Sequence, residues 1–208
     1  MLFVSLNDRK DVTIMSVVVA VKYKDGIALA ADKQVTWGNL KKDTATKITR
    51  TKYSNLGIGV VGSGRLADVL EVLDEIVPAD DILRGVTIDR KYMIKHMVPD
   101  LFDYLKKYGL LLHDESGSNY IDGAMMLVTP DTIQAMASDG GLIEYENFAT
   151  IGCGRDLAYG YLSTLKKDFS KLKENEVIDI LAIAIKYACK DDAYIDNFVD
   201  VTLITRED

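Results

Sequence analysis

The apolar positions near the start of the chain predict a series of short strands separated by turns. Dipeptides that favour tight turns divide the apolar segments, with Asp25-Gly26 in the first gap and Ser54-Asn55 ahead of the last segment. The predicted strands are Val17–Val21, Ile27–Ala31, Ile48–Thr51 and Leu56–Val61. The first of these runs is apolar at successive positions, which is typical of a strand buried on both faces.

The pattern then changes to helical spacing and later returns to strands. Apolar residues recur three and four positions apart from Leu66 to Ile76 and stop before Pro78, and a second helix is expected from about Thr87 to Tyr108. Strands are then predicted at Tyr120–Val128, Ile133–Ala137 and Leu142–Tyr145. They are followed by helices at Arg155–Leu165 and about Glu176–Ala188 and by a closing strand at Val199–Thr205. Such grouping favours an α+β fold, most simply two antiparallel sheets packed face to face with a helix pair on each outer side.

Length, charge and composition exclude several classes of protein. The 208 residues suffice for one domain with a sizeable core, and the formal net charge of −7 argues against a nucleic-acid binder. No apolar run reaches the roughly 18 residues of a membrane span, and the start of the chain lacks the basic and apolar regions of a signal peptide. Cys153 and Cys189 lie far apart without metal-binding or redox spacing, so we expect reduced thiols and a cytoplasmic location.

One compact stretch carries the candidate chemistry. Ser16 precedes the first predicted strand, Asp32 follows the second, and Lys47 precedes the third. Serine is a poor nucleophile unless a nearby base takes its proton, and a carboxylate and an ammonium group can orient and tune such a base. Each residue also has an ordinary structural interpretation: an edge serine, a strand-end carboxylate and a solvated loop lysine.

This arrangement resembles the opening of proteasome β-type subunits and of the bacterial HslV-type peptidase, which are N-terminal nucleophile hydrolases. Three later segments resemble the same family in the same order. They are Gly57–Gly62, which is similar to the strand that forms the oxyanion site, Thr150–Arg155, which is similar to a Gly-Ser-Gly turn, and Lys190–Tyr194, which is similar to an Arg-Asp-Ala-Tyr segment. The resemblance implies a four-layer αββα sandwich.

The resemblance also implies a role for each site residue. Ser16 would be the nucleophile, with its own α-amine as the base once it is the first residue of the chain. Lys47 would keep that amine unprotonated, and Asp32 would orient and neutralise the lysine. The N–H of Gly59 would stabilise the oxyanion, and Asp192 would hold the amine through hydrogen bonds.

Four positions depart from the family pattern. Ser16 stands where most active members have Thr, and Met15 stands where β precursors usually carry Gly. Cys153 replaces a serine that hydrogen-bonds the N-terminal amine, and Ile195 replaces another supporting serine. A thiol is a much weaker hydrogen-bonding group than a hydroxyl, so the supporting groups of the predicted site are altered.

The start of the domain has two explanations. Residues 1–15 would be an extension or propeptide ahead of a domain at 16–208, or translation would begin at Met15 and an aminopeptidase would expose Ser16. The leading hypothesis is a peptidase subunit of a self-compartmentalising ring, which acts on unfolded protein and has an ATP-driven unfoldase or other proteasome-type subunits as partners. The alternatives are a catalytically silent structural subunit and a transpeptidase or amidohydrolase. No site motif implies a metal or an organic cofactor, and His96 and His113 are interpreted as structural or surface residues.

Overall fold

The structure is a computed structural model, and it describes residues 16–37, 40–42, 46–51, 55–62, 66, 87–189 and 199–206. Its strands are β1 (Val17–Tyr23), β2 (Gly26–Asp32), β3 (Val35–Trp37), β4 (Leu40–Lys42), β5 (Ile48–Arg50), β6 (Gly57–Gly62), β7 (Leu111–His113), β8 (Asn119–Ile121), β9 (Gly123–Val128), β10 (Ile133–Met136), β11 (Leu142–Tyr145), β12 (Phe148–Gly152) and β13 (Val199–Thr205). The first helix, α1, is α-helical over Arg90–Tyr92, π-helical over Met93–Met97 and α-helical again over Val98–Lys107. The later helices are α2 (Arg155–Thr164) and α3 (Glu174–Cys189), with a 3-10 turn at Phe169–Lys171 between them.

Two antiparallel sheets form the centre of the molecule. The first sheet has the strand order β12-β1-β2-β13, and the second has the order β11-β10-β9-β6-β5. Two short hairpins, β3-β4 and β7-β8, lie outside them. This is the α+β architecture with two antiparallel sheets that the sequence predicts.

Three apolar clusters separate the layers, and β1 contributes to two of them. Val17, Val19 and Val21 pack against α2 and α3 on the outer face of the first sheet. Val18 and Ala20 point the other way, into the layer between the two sheets. The continuous apolar run of β1 therefore follows from burial on both faces of a strand whose side chains alternate.

The third cluster lies on the outer face of the second sheet. There α1 packs its buried residues, including Met93, Met97 and Leu101, against β6, β9 and β10. Leu66 is buried in the same cluster, whereas the rest of the helix predicted to run from Leu66 to Ile76 lies outside the described residues. Among the described residues, no helix has both the length and the apolar character of a membrane span.

One predicted boundary was wrong, and one strand was not predicted. The strand predicted over Tyr120–Val128 is divided into β8 and β9, and Gly123, the first residue of β9, has a φ of 154° and no room for a Cβ beside the backbone of Val61. The strand that was missed is β12, the edge strand of the first sheet, whereas the turn expected ahead of a helix does lead from β12 into α2. β12 has only five residues and runs directly into that turn, so its short apolar pattern was not recognised as a strand.

Gly152 lets the end of β12 approach the residue before β1. It pairs with Val17 and has a φ of 97°, and a Cβ at this position would lie 2.0 Å from the carbonyl oxygen of Ser16. Only glycine fits both this backbone conformation and this approach. Gly152 therefore positions the backbone of Ser16.

We expect Gly152→Ala to lower the free energy of unfolding by about 2 kcal/mol or more, because a methyl group must displace the Ser16 carbonyl in a strained backbone conformation. Urea unfolding followed by circular dichroism measures the change. Gly160→Ala is the control, since Gly160 lies in α2 with nothing within 4 Å of its added Cβ. The control should raise stability by up to about 1 kcal/mol, and equal effects of the two changes would contradict this account.

Candidate active site

The β1–β2 hairpin places Asp32 beside the residue that follows Ser16. Val18 pairs with Ala31 in this hairpin, so the next positions along each strand are also neighbours. The N–H of Val17 donates a hydrogen bond of 2.9 Å to Asp32 Oδ1. Ser16 and Asp32 are both buried, which leaves the hydroxyl and the carboxylate in a part of the protein with little water.

Lys47 enters this site from the second sheet. It directly precedes β5, and its carbonyl accepts a hydrogen bond of 2.9 Å from the N–H of Val60 in β6. Its Nζ donates to Ser16 Oγ at 2.8 Å and to Asp32 Oδ2 at 2.7 Å. The structure thus brings together three of the residues that the sequence singled out, and Lys47 is the link between the other two.

Burial is the main electrostatic influence on this ion pair. It lowers the pKa of Lys47 below its ordinary value of 10.5 and raises the pKa of Asp32 above its ordinary value of 3.8, while the attraction between the two charges opposes both shifts. Asp32 Oδ2 also accepts a hydrogen bond of 3.1 Å from the N–H of Gln34. Lys47 therefore holds its proton less tightly than an exposed lysine, at a distance from which it can share that proton with Ser16 Oγ.

Cys153 contacts the backbone of Ser16. Its Sγ is 3.5 Å from the carbonyl oxygen of Ser16, and its side chain is exposed. Cys153 and Cys189 are both thiols and do not form a disulfide. The observed contact of Cys153 is to the carbonyl group of the candidate nucleophile, whereas the resemblance implies a contact to the amine.

A scan against protein-family models matches residues 15–204 to the family described as "Proteasome subunit". The chain belongs to this family. Among curated relatives, "Proteasome subunit beta 1" of Thermococcus gammatolerans is 26% identical over 194 residues, covering 91% of this chain and 89% of the relative. "Proteasome subunit beta" of Nanoarchaeum equitans is 24% identical over 203 residues, covering 93% and 94%, and "Proteasome subunit beta 2" of Pyrococcus furiosus is 25% identical over 191 residues, covering 91% and 86%.

Gly59, the predicted oxyanion donor of this proteasome-family chain, lies inside the second sheet. It pairs with Ile48 on one side and Met126 on the other. A Cβ at Gly59 would lie 2.6 Å from Val18 Cγ1, so close packing of the two sheets gives one reason for a glycine here. The role of its N–H in catalysis stays a prediction.

The remaining predicted residues lie in a part of the chain that the structure does not describe. Asp192 and Ile195 lie outside the described residues, so their roles also stay predictions. Lys33, the residue after Asp32, lies just beyond the end of β2 and forms a partly exposed ion pair of 3.2 Å with Asp200.

Two contributors to the site were not predicted from the sequence. Gly152 fixes the approach to Ser16, and the N–H of Gln34 completes the hydrogen bonding of Asp32. A glycine at the end of an apolar run was a visible signal for the first, whereas a backbone donor carries no signal in the residue type. Within the described part of the chain, no group of three or more His, Cys, Asp or Glu residues could hold a metal ion.

Lys47→Met is expected to lower the free energy of unfolding by about 3 kcal/mol near neutral pH, because it leaves the Asp32 carboxylate buried without a counter-charge. The loss should shrink as the pH falls. Burial raises the pKa of Asp32 above that of the unfolded chain, so the folded state gains a proton first and is stabilised on acidification through that window. Urea unfolding at about pH 7 and about pH 5 measures both effects.

Lys33→Met is the matched control, since it removes one partner of an ion pair that is about one-third exposed on each side. Its cost should stay below about 1 kcal/mol and change little with pH. If both methionine variants lose the same stability, the Lys47–Asp32 pair does not carry the charge balance described above.

Proposed function

We propose that this chain is a proteasome-type peptidase subunit that uses Ser16 as an N-terminal nucleophile. The observation that carries the proposal is the contact of a single buried ammonium group, that of Lys47, with both Ser16 Oγ and Asp32 Oδ2. A serine hydroxyl in this position has a hydrogen-bond donor that can stabilise its oxygen as the proton leaves. The archaeal relatives, which are named as proteasome β subunits, support the same general role.

The proposed reaction begins with attack of Ser16 Oγ on a substrate carbonyl carbon. The Oγ proton passes to the Ser16 α-amine, whose ordinary pKa of about 7.7–8.0 leaves much of it neutral near pH 7 to 8. Lys47 stabilises the hydroxyl oxygen, and Asp32 compensates the charge of Lys47. The α-ammonium then gives its proton to the departing amine, which leaves an ester on Ser16. Water hydrolyses this ester and regenerates the hydroxyl.

The proposal includes the setting in which this site works. The subunit assembles into a ring with copies of itself or with other proteasome-type subunits, in the cytoplasm, and an ATP-dependent unfoldase delivers unfolded protein to it. Membership of the proteasome subunit family supports assembly. Residues 1–15 are removed as an extension, or translation begins at Met15 and an aminopeptidase removes that methionine, since the mechanism needs a free α-amine at Ser16.

The chain that begins at Ser16 is expected to hydrolyse a fluorogenic peptide, whereas the chain that retains residues 1–15 should not, because its Ser16 nitrogen is an amide. Intact-mass measurement of each preparation identifies which species is assayed. Ser16→Ala in the shorter chain should lower kcat/KM by about a thousandfold or more, and Ser16→Thr should retain activity within about tenfold.

Ser163→Ala serves as a control for the loss of an unrelated hydroxyl, since Ser163 is an exposed residue of α2. This variant should keep the activity of the parent. Hydrolysis by a preparation whose mass still includes residues 1–15, or by Ser16→Ala, would show that the amine and hydroxyl of Ser16 are not the working groups.

The contact of Cys153 favours a second candidate, a silent structural subunit. A thiol 3.5 Å from the Ser16 carbonyl is a weak hydrogen-bond donor, so Ser16 is held less firmly than by a hydroxyl. Met15 and Ile195 point in the same direction. Transfer of the acyl group to an amine instead of water, as in a transpeptidase, uses the same ester and differs only in the acceptor.

Cys153→Ser is expected to raise kcat by about threefold to tenfold if the subunit is a peptidase, because a hydroxyl forms a stronger hydrogen bond to the Ser16 carbonyl. Cys189→Ser is the control for loss of a thiol. The two variants are compared with the parent chain by peptide hydrolysis at several pH values. If parent and Cys153→Ser are both inactive with Ser16 shown by mass to be the first residue, the silent subunit is the better description.

A further inference from the structure

A cavity of about 380 Å³ lies between the two sheets, along the side where each sheet has an edge strand. Strands β9, β10 and β11 of the second sheet form one wall, and β12 with the first two turns of α2 forms the other. β11 and β12 are the edge strands, and β12 packs against β9 and β10. Ala135 and Ile151 belong to the apolar layer between the sheets and also line the cavity. That layer is therefore open to solvent along this side.

The lining of the cavity is mostly apolar, and its charges cancel. Ile143 and Tyr159, at the rim, are 55% and 48% exposed. The charged residues of the lining are Arg155 and Asp156, which form an exposed ion pair of 3.4 Å with each other. The hydroxyl of Thr150 donates a hydrogen bond of 3.1 Å to the carbonyl oxygen of Arg155. The cavity therefore suits an uncharged, apolar group.

The cavity begins beside the candidate active site. Ile151, which lines it, directly precedes Gly152 in β12. A Cβ at Gly152 would lie 2.0 Å from the carbonyl oxygen of Ser16 and 3.1 Å from Val61 Cγ1. Val61 pairs with Ala124, which also lines the cavity. The near end of the cavity is therefore one residue beyond the groups that contact Ser16, on both sheets.

The backbone of Ser16 indicates which part of a substrate would approach the cavity. The Ser16 carbonyl points towards β12, where it contacts Cys153. In an extended chain the N–H and C=O of one residue point towards the same neighbouring strand, so the Ser16 nitrogen also faces β12. In agreement, the N–H of the next residue, Val17, points the other way, towards Asp32. In the proposed reaction the Ser16 α-ammonium gives its proton to the departing amine, so the departing part of the substrate leaves on the side of β12.

We propose that this cavity binds a large apolar side chain on the departing side of the scissile peptide bond. This inference rests on the function proposed above and adds a substrate class to it, namely polypeptides that are apolar just after the cleavage point. An extended peptide advances about 3.3 Å per residue, so the second or third residue after the scissile bond reaches the cavity. Its side chain contacts Ile143 and Tyr159 at the rim and Ala135 inside.

Hydrolysis of internally quenched peptides by the chain that begins at Ser16 tests the proposal. The peptides differ at the second and third residues after the scissile bond, which are both Leu, both Ser or both Glu, and product masses confirm the cleavage point. We expect kcat/KM to be at least about tenfold higher for the Leu peptide than for the other two. The same preference for Leu over Ser without the penalty for Glu would still require an apolar contact, whereas equal rates would overturn the proposal.

Two pairs of variants locate the preference. Ala137→Trp places a large side chain at an exposed lining position, so it should lower the Leu-to-Ser ratio of kcat/KM to about threefold or less. Ser163→Trp, at an exposed position of α2 outside the cavity, should leave the ratio unchanged. Ile143→Ala should lower the ratio, whereas Leu157→Ala, which removes another exposed aliphatic side chain, should not. A ratio that survives Ala137→Trp and Ile143→Ala would place the preference elsewhere.

A binding measurement separates failure of this inference from failure of the proposed function. The full chain carrying Ser16→Ala is titrated with Gly-Leu-Leu-Gly, which represents the departing part, and with Gly-Ser-Ser-Gly as the control. We expect a saturable methyl chemical shift change at Ile143, without one at the exposed Ile183 of α3, for the Leu peptide alone. No Ile143 shift, with all peptides hydrolysed equally, overturns the cavity and leaves the peptidase intact. An Ile143 shift without hydrolysis of any peptide contradicts the peptidase and keeps the peptide site, and absence of both contradicts both.

Discussion

The buried ion pair between Lys47 and Asp32 is the constraint on which the candidate site depends. Asp32 is the last residue of β2 in the first sheet, and Lys47 directly precedes β5, the edge strand of the second sheet. Removing both charges from water is costly, and the protein offsets this cost by satisfying both Asp32 oxygens with backbone and side-chain donors. The two sheets cannot slide relative to each other here without leaving a charge unpaired. The Ser16 hydroxyl is held in the same place, because Lys47 donates a hydrogen bond to it.

Much of the fold could be predicted because its strands and helices have clear periodicity. The apolar run of β1, the spacing of α1 and the closing strand β13 were all expected close to their observed positions. What failed was β12, an edge strand of only five residues that runs directly into a turn. The reason for that sequence is its close approach to Ser16, which is a property of the folded backbone and not of residue types.

The candidate site could be predicted in its residue types but not in its contacts. The sequence does not show which lysine contacts the site: only the packing of the sheets shows that Lys47 reaches Ser16 Oγ directly, while Lys33 pairs with Asp200. The same limit applies to Cys153, whose position was predicted from the resemblance while its contact with the Ser16 carbonyl was not. Distances across two sheets depend on the sum of many side-chain volumes, and no local pattern encodes that sum.

The hydrogen bond from the Val17 N–H to Asp32 fixes the first peptide group after Ser16 while 15 residues still precede the serine. The hydroxyl, the ammonium group and the carboxylate are thus already in contact in the longer chain. Under the proposed processing, loss of the preceding residues breaks one covalent bond, at the Ser16 nitrogen, and these three side chains are in contact before that cleavage. On that proposal, the latency of the longer chain is chemical, because it lacks a free amine, and it does not come from an unassembled site.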